Sequence, residues 1–273
     1  MNLTQRAWST VLRNYLSVFI RRSFCELNPN AEFLDNWHVY VMADMLERCR
    51  KGEITRLIIN VPPRSLKSHS VSVAFVAWLL GHNPSAQIIC ASYAQELADK
   101  HSGDCRMLMV SDFYQELFHT RLSPQKRSLS EFATTENGFR MATSVGGVLT
   151  GRGADFVIID DPLKPDEALS DVQRQKVNDW YDHSLCTRLN NKSTGCIIVV
   201  MQRLHEDDLV GHVIPIGTWT VLRFAAIAEE DECYEFETPL GRRKHCRRIG
   251  EALHPEREPL EILASLRTGL GEY

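Results

Sequence analysis

No two of the eight cysteines, at positions 25, 49, 90, 105, 186, 196, 233 and 246, form a CxxC pair. That removes the commonest redox and zinc-ribbon patterns and leaves reduced, mostly buried thiols as the expectation. Cys233, His245 and Cys246 carry ligand atoms, but their spacing does not fit zinc. Long apolar runs are also missing. The longest, 71–80, is about half of the ~20 residues that a bilayer-spanning helix needs, so no membrane is implied. The opening stretch, MNLTQRAWSTVLRNYLSVFIRR, has neither a continuous apolar core nor a small-residue cleavage site, and is not expected to be a secretory signal. Net charge is only -4, so a polyanionic partner has to be met by a local patch. There is no internal repeat and no low-complexity tract.

What is present is ordinary globular composition: 273 residues, 44% hydrophobic and 24% charged, enough for one large domain or two small ones. Periodicity predicts amphipathic helices over 3–24 and 35–51, the second capped by Asp35. A buried strand over 55–61 ends at two prolines. A helix over 68–80 follows, with Gly81 as its stop. Further strands are expected at Gln87–Ser92, 156–159, 195–201 and 219–226, and helices at 93–110 and 166–190. Asn137-Gly138, inside the alternating stretch 131–150, is a hairpin signal. Strand and helix alternating at this spacing mean an α/β fold, with a parallel sheet covered on both faces. From about Glu229 the chain is polar, basic and expected to be loop-like. The organisation is read as a helical lead-in at 1–34, a core at 35–228 and an extension at 229–273.

The segment VPPRSLKS, 61–68, has the layout of a phosphate-binding loop: buried strand, tight turn, Lys67-Ser68, apolar helix. Yet it contains no glycine. Val61 and Leu66 stand where the usual pattern has glycines, so Leu66 has either to avoid a positive φ or to rest on neighbours that tolerate it. Two prolines pre-set one side of the turn, and Arg64 adds a cation that makes up for a looser amide cradle. Taken alone, the segment is equally a proline-rich connector.

A second element decides between these. In DFVIIDDP, 155–162, two aspartates close a buried strand. In nucleotide-hydrolysing loops the first such acid holds Mg²⁺ and the next orients the attacking water. An Asx-Pro turn is the plainer explanation, but it says nothing about Lys67. Both elements are expected at the carboxyl ends of parallel strands, on one rim of the sheet, where α/β proteins bind ligands.

Six blocks in order, LIINVPPRSLKS, NPSAQIICASYAQELA, TSVGGVLTGRGADFVIIDDPLKPDEALS, DWYDHSLCTRLN, IIVVMQRLHEDDLVG and GEALHPEREPLEIL, resemble the large terminase subunit of tailed bacteriophages and prophages. The resemblance runs from about Asp35 to the last residue. It implies a P-loop NTPase of the ASCE type, with a mostly parallel central sheet, that hydrolyses ATP to drive double-stranded DNA into a prohead. It also implies a homo-oligomeric ring on the portal protein, a small terminase subunit as partner, and the host bacterial cytoplasm as location. ATP would lie on Pro63, Arg64, Ser65, Leu66, Lys67 and Ser68, with Mg²⁺ on Ser68 and Asp160. Asp161, where most of the family has glutamate, would place water. Arg152, between Gly151 and Gly153, matches an arginine offered to a neighbouring subunit's γ-phosphate, and is equally a salt-bridged loop arginine. Gln202 matches a position that senses nucleotide state, and otherwise is a polar residue at a helix start. Family members continue into a nuclease domain, so no acid before Tyr273 is assigned nuclease chemistry. A truncated prophage remnant that binds without turnover and a helicase-like DNA remodeller are the alternatives.

Other features are weaker. Tyr93 and Gln95 match a helicase-like segment that touches DNA or the adenine side. Trp37 and His38 lie near the base, or in the core where aromatics at helical spacing usually sit. His205-Glu206-Asp207-Asp208 reads as a capped helix start in preference to a metal site. The run 242–248 has five Lys/Arg in seven residues, which either contacts DNA phosphates or is solvated.

Overall fold

The computed structural model describes residues 3–149 and 151–270. Helices α1 (Leu3–Asn14), α2 (Leu16–Leu27) and α3 (Trp37–Arg50) precede strand β1 (Arg56–Asn60). A π-helical stretch, His69–Phe75, runs into α4 (Val76–His82). Then come β2 (Gln87–Ser92), α5 (Gln95–Val110), α6 (Asp112–Leu117), β3 (Leu122–Arg127), β4 (Glu131–Thr134), β5 (Phe139–Ser144) and β6 (Phe156–Asp160). The remainder is α7 (Asp171–Trp180), β7 (Cys196–Met201), α8 (Leu209–Val213), β8 (Thr220–Arg223), β9 (Glu232–Thr238), β10 (Gly241–Arg247) and α9 (Leu260–Leu270).

Eight strands form one sheet in the order β3-β4-β5-β2-β6-β7-β1-β8. The pairs from β5 to β8 are parallel, and β3 and β4 add an antiparallel edge. This is the expected α/β class. β7 stands between β1 and β6, as the ASCE arrangement requires, so the loop after β1 and the acids ending β6 flank one strand. The central strands are apolar on both faces because helices cover both. Leu57, Ile59, Ile158, Ile198 and Val200 pack with α1 to α6, while Ile58, Val157, Ile159, Ile197 and Val199 pack with α7 and α8. Leu12, Leu16, Phe19 and Ile20 from α1 and α2 join the first of these cores, as do Phe236 and Leu253.

Several local expectations give way to tertiary contacts. The helix read over 3–24 breaks at Tyr15, because Glu47 on α3 accepts from Leu16 N at 2.7 Å and starts a new helix there. Asn36, not Asp35, caps α3 by accepting from Trp37 N, while Asp35 takes the Tyr40 hydroxyl at 2.8 Å. Gly81 does not stop its helix, which runs to His82. A Cβ at 81 would lie 2.6 Å from Phe118 Cγ, so the glycine serves ring packing. The helix read over 166–190 is α7 followed by a π-helical turn, Tyr181–Leu185, and a 3-10 turn, Cys186–Arg188. The Asn137-Gly138 hairpin forms as expected, with Asn137 at φ 67°.

The stretch after Glu229 is not loop-like. β9 and β10 make a seven-pair antiparallel hairpin, and α9 follows. Cys233 and Cys246, expected to be reduced, face each other across that ladder and form a disulfide with Cα atoms 4.1 Å apart. The other six cysteines are free. Among the described residues no helix is long and apolar enough to cross a membrane.

Candidate active site

β1 delivers the chain into Pro62-Pro63, and the turn then uses the left-handed region twice. Arg64 has φ 60° and Leu66 φ 59°. Each such non-glycine residue costs about 1–3 kcal/mol, and such strain concentrates at functional sites. Leu66 therefore takes the strained alternative, and its surroundings hold it there. Its side chain packs against the first core, its carbonyl accepts from Ser70 N at 2.9 Å, and Ser65 O is bonded by His38 Nε2 at 3.2 Å. Asn36 Nδ2 lies 2.7 Å from His38 Nδ1, which fixes that ring as a neutral brace under the loop. Burial holds the His38 pKa down at about 4, consistent with this arrangement.

Across β7, Asp160 is 2% exposed at the end of β6. Its Oδ1 accepts from Ser68 Oγ at 3.0 Å and its Oδ2 from Ser72 Oγ at 2.6 Å. Burial pushes its pKa up, opposed by Lys67, the two serines and Arg140. Asp161, at φ 46°, is the third strained residue here, and its carboxylate forms an ion pair with the Lys67 ammonium. Burial, and then the neighbouring Asp160 charge, raise the Asp161 pKa. Lys67, Ser68, Asp160 and Asp161 are thus brought together on one rim.

Ser68 Oγ and Asp160 Oδ1 are hard oxygen donors side by side. They fit Mg²⁺, which prefers one or two carboxylates plus phosphate oxygens and water to an all-protein cage. The thiols of Cys233 and Cys246 are engaged with each other in a disulfide. In front of the loop opens a cavity of ≈ 700 Å³ walled by Arg64, Leu66, Lys67 and Ser68, by Phe24, Glu32, Phe33 and His69, and by Arg257.

Some participants are not visible as motifs. Ser72 lies four residues after Ser68 and bonds the same carboxylate. His101 Nε2, from α5, lies 3.8 Å from Asp160 Oδ2. Arg140, fully buried in β5, donates to Ser72 O at 3.4 Å and leaves Nε and Nη1 without a hydrogen-bond partner. A charged residue at the inward phase of the alternating strand 139–144 was the available signal.

Other expected participants lie apart from the cavity wall. Arg152 is ion-paired to Glu131 at 2.7 Å. Gln202 meets the site through its backbone, its N–H donating to Asp161 Oδ1 at 3.4 Å. Trp37 is not at the cavity: it stacks on His245 at 4.4 Å and on Tyr234 at 5.2 Å. Tyr93 lies under Lys164 Nζ, 5.7 Å from the ring centre, and Gln95 bonds Asp99. Asp208 caps α8 by accepting from Val210 N and Gly211 N, as a helix start would. In the run 242–248, Arg242 pairs with Glu235 and Arg247 is buried against Glu232, because β9 sets acids opposite the bases.

No family model and no curated protein matches the chain. Among solved structures, the bacteriophage HK97 large terminase aligns over 80% of this chain and 45% of its own length, at 16% identity and TM-score 0.47. This chain resembles phage large terminases. A Thermus phage large terminase ATPase domain aligns over 66% of this chain and 68% of that one, at 15% identity and TM-score 0.43. S. cerevisiae Dbp5, in a complex that includes ADP, covers 77% and 53% at 10% identity and TM-score 0.45. The chain therefore spans less than half the length of the HK97 protein.

Proposed function

We propose that this chain is a Mg²⁺-dependent ATPase motor of the large terminase kind, which turns over ATP to move double-stranded DNA into a prohead. The observation that carries this is the meeting of Lys67, Ser68, Asp160 and Asp161 beside a cavity of nucleotide size. ATP would place its phosphates against Arg64 and Lys67. Mg²⁺ on Ser68 and Asp160 would neutralise charge on the β- and γ-oxygens. Lys67 would leave Asp161 for the γ-phosphate, freeing the carboxylate to orient a water and accept its proton. Water oxygen then bonds to the γ-phosphorus as the bond to the β-γ bridging oxygen breaks, giving ADP and phosphate. His38, Ser72 and the strained turn hold these groups in place, so catalysis is positioning and electrostatics. The further partners we propose are a homo-oligomeric ring with Arg152 at its subunit contacts, the portal protein and a small terminase subunit, in the host cytoplasm.

A second possibility is favoured by one observation: Lys67 and Asp161 are bound to each other, which occupies both groups at once. In that case the chain binds nucleotide without turnover. ATPase assays with and without DNA and Mg²⁺ separate the two. We expect Mg²⁺-dependent hydrolysis, lost at least a hundredfold in Lys67→Ala, while Asp161→Asn still binds ATP but does not cleave it. Equal rates in wild type and Lys67→Ala would rule out catalysis by this site.

A further inference from the structure

We propose that Arg257, which lies outside the loop in the block GEALHPEREPLEIL and carries no role in the readings above, is a third cation of the phosphate site. This rests on the nucleotide reading and adds a contact to it. Arg257 belongs to the stretch between β10 and α9, yet it walls the same ≈ 700 Å³ cavity as Arg64, Lys67 and Ser68. The stretch that leads to it is held from two sides at Leu253. Leu253 N donates to Ala226 O at 2.8 Å and Leu253 O accepts from Asn36 Nδ2 at 2.8 Å, while Arg257 N closes a turn onto His254 O at 3.1 Å.

The same Asn36 amide nitrogen that holds Leu253 also meets His38, and His38 braces Ser65 in the loop. One side chain therefore sets the spacing between the loop and the stretch that carries Arg257. Arg257 makes no side-chain hydrogen bond or ion pair within the described residues, whereas Arg13, Arg48, Arg56 and Arg188, partly buried like it, each do. The cavity wall holds Arg64, Lys67 and Arg257 against Glu32; with Lys67 paired to Asp161, Arg64 and Arg257 still leave an excess of positive charge facing the cavity. Such an excess is relieved by a bound anion, and a guanidinium suits phosphate oxygens in particular. The ligand class is a polyphosphate chain, and the contact should strengthen with phosphate number.

The test measures binding of ATP, ADP, adenosine and inorganic tripolyphosphate to the folded wild type and to Arg257→Gln, Arg257→Lys and Lys67→Ala, with folding checked by circular dichroism. Arg257→Gln should weaken ATP and tripolyphosphate by about ten- to a hundredfold, the contribution of a hydrogen bond to a charged group. Adenosine should be unaffected, and Arg257→Lys should recover part of the loss. Wild-type ATP affinity in Arg257→Gln, with Lys67→Ala still defective, overturns the inference and leaves the nucleotide site standing. So does an equal loss for adenosine and ATP, which would make Arg257 a wall of the base pocket. If neither wild type nor Lys67→Ala binds ATP, the nucleotide site falls and this inference with it.

Discussion

Ser72 Oγ donates to Asp160 Oδ2 at 2.6 Å, on a carboxylate that is otherwise sealed from water. Removing a donor from a buried acceptor costs about 1–3 kcal/mol. Ser72→Ala should lower stability by about that much in urea titration, and should also slow hydrolysis, because Asp160 then loses one of the two bonds that aim it. An unchanged midpoint would mean the carboxylate finds another donor, His101 being the nearest. At this scale the sequence shows the chemistry and hides its supports. Lys67-Ser68 and Asp160-Asp161 are legible because strand ends and helix starts bracket them. Ser72, His101 and Arg140 are not, since each converges on Asp160 from a separate element through folding alone.

β9 and β10 show what limits the reading of whole elements. β9 alternates weakly, with Tyr234, Phe236 and Thr238 turned inward and Glu235 and Glu237 exposed, but β10 is basic on both faces, so no hydrophobic period marks the pair. The ladder forms because each acid meets a base across the strand and Cys233 meets Cys246. Alkylating the unfolded chain without reductant should label six cysteines, and with reductant eight. Eight labels in both conditions would show free thiols in the hairpin. Closing a loop of this size is worth about 2–4 kcal/mol, and its loss should fall on the hairpin and the Trp37 stack. The parallel strands were readable for the opposite reason. Burial on both faces leaves uninterrupted runs such as CIIVVM, bounded by polar residues or proline.

Across the molecule, three histidines set the acid limit. His38, His69 and His101 are each held at about 4, with burial as the largest cause, against an ordinary 6.5. The unfolded chain takes up these protons below about 6.5, while the folded chain refuses them until about 4. Their contribution is therefore complete above that window and is lost as pH falls through it. At pH 5 each costs about 2 kcal/mol, partly offset by Asp160 and Asp161, whose raised carboxyls protonate earlier in the folded state. Thermal melts at pH 7.5 and pH 5 should differ by on the order of 10 °C, with the lower midpoint in acid. Coincident midpoints would mean these rings are not buried neutral. The sheet class and the rim that gathers the acids and the lysine were legible from alternating strands and helices and from the motifs' places at strand ends. Arg257 beside that rim was not, because nothing local in its stretch points to the loop.

Arg64 keeps an exposed side chain on a backbone that only glycine adopts freely. Fold and function therefore pull this position in opposite directions. Arg64→Gly should raise the melting midpoint slightly, by up to about 1 kcal/mol of relieved strain, while lowering affinity for triphosphate. A turn built this way exchanges ease of folding for grip, so selection for thermal robustness alone would erode this loop's hold on phosphate.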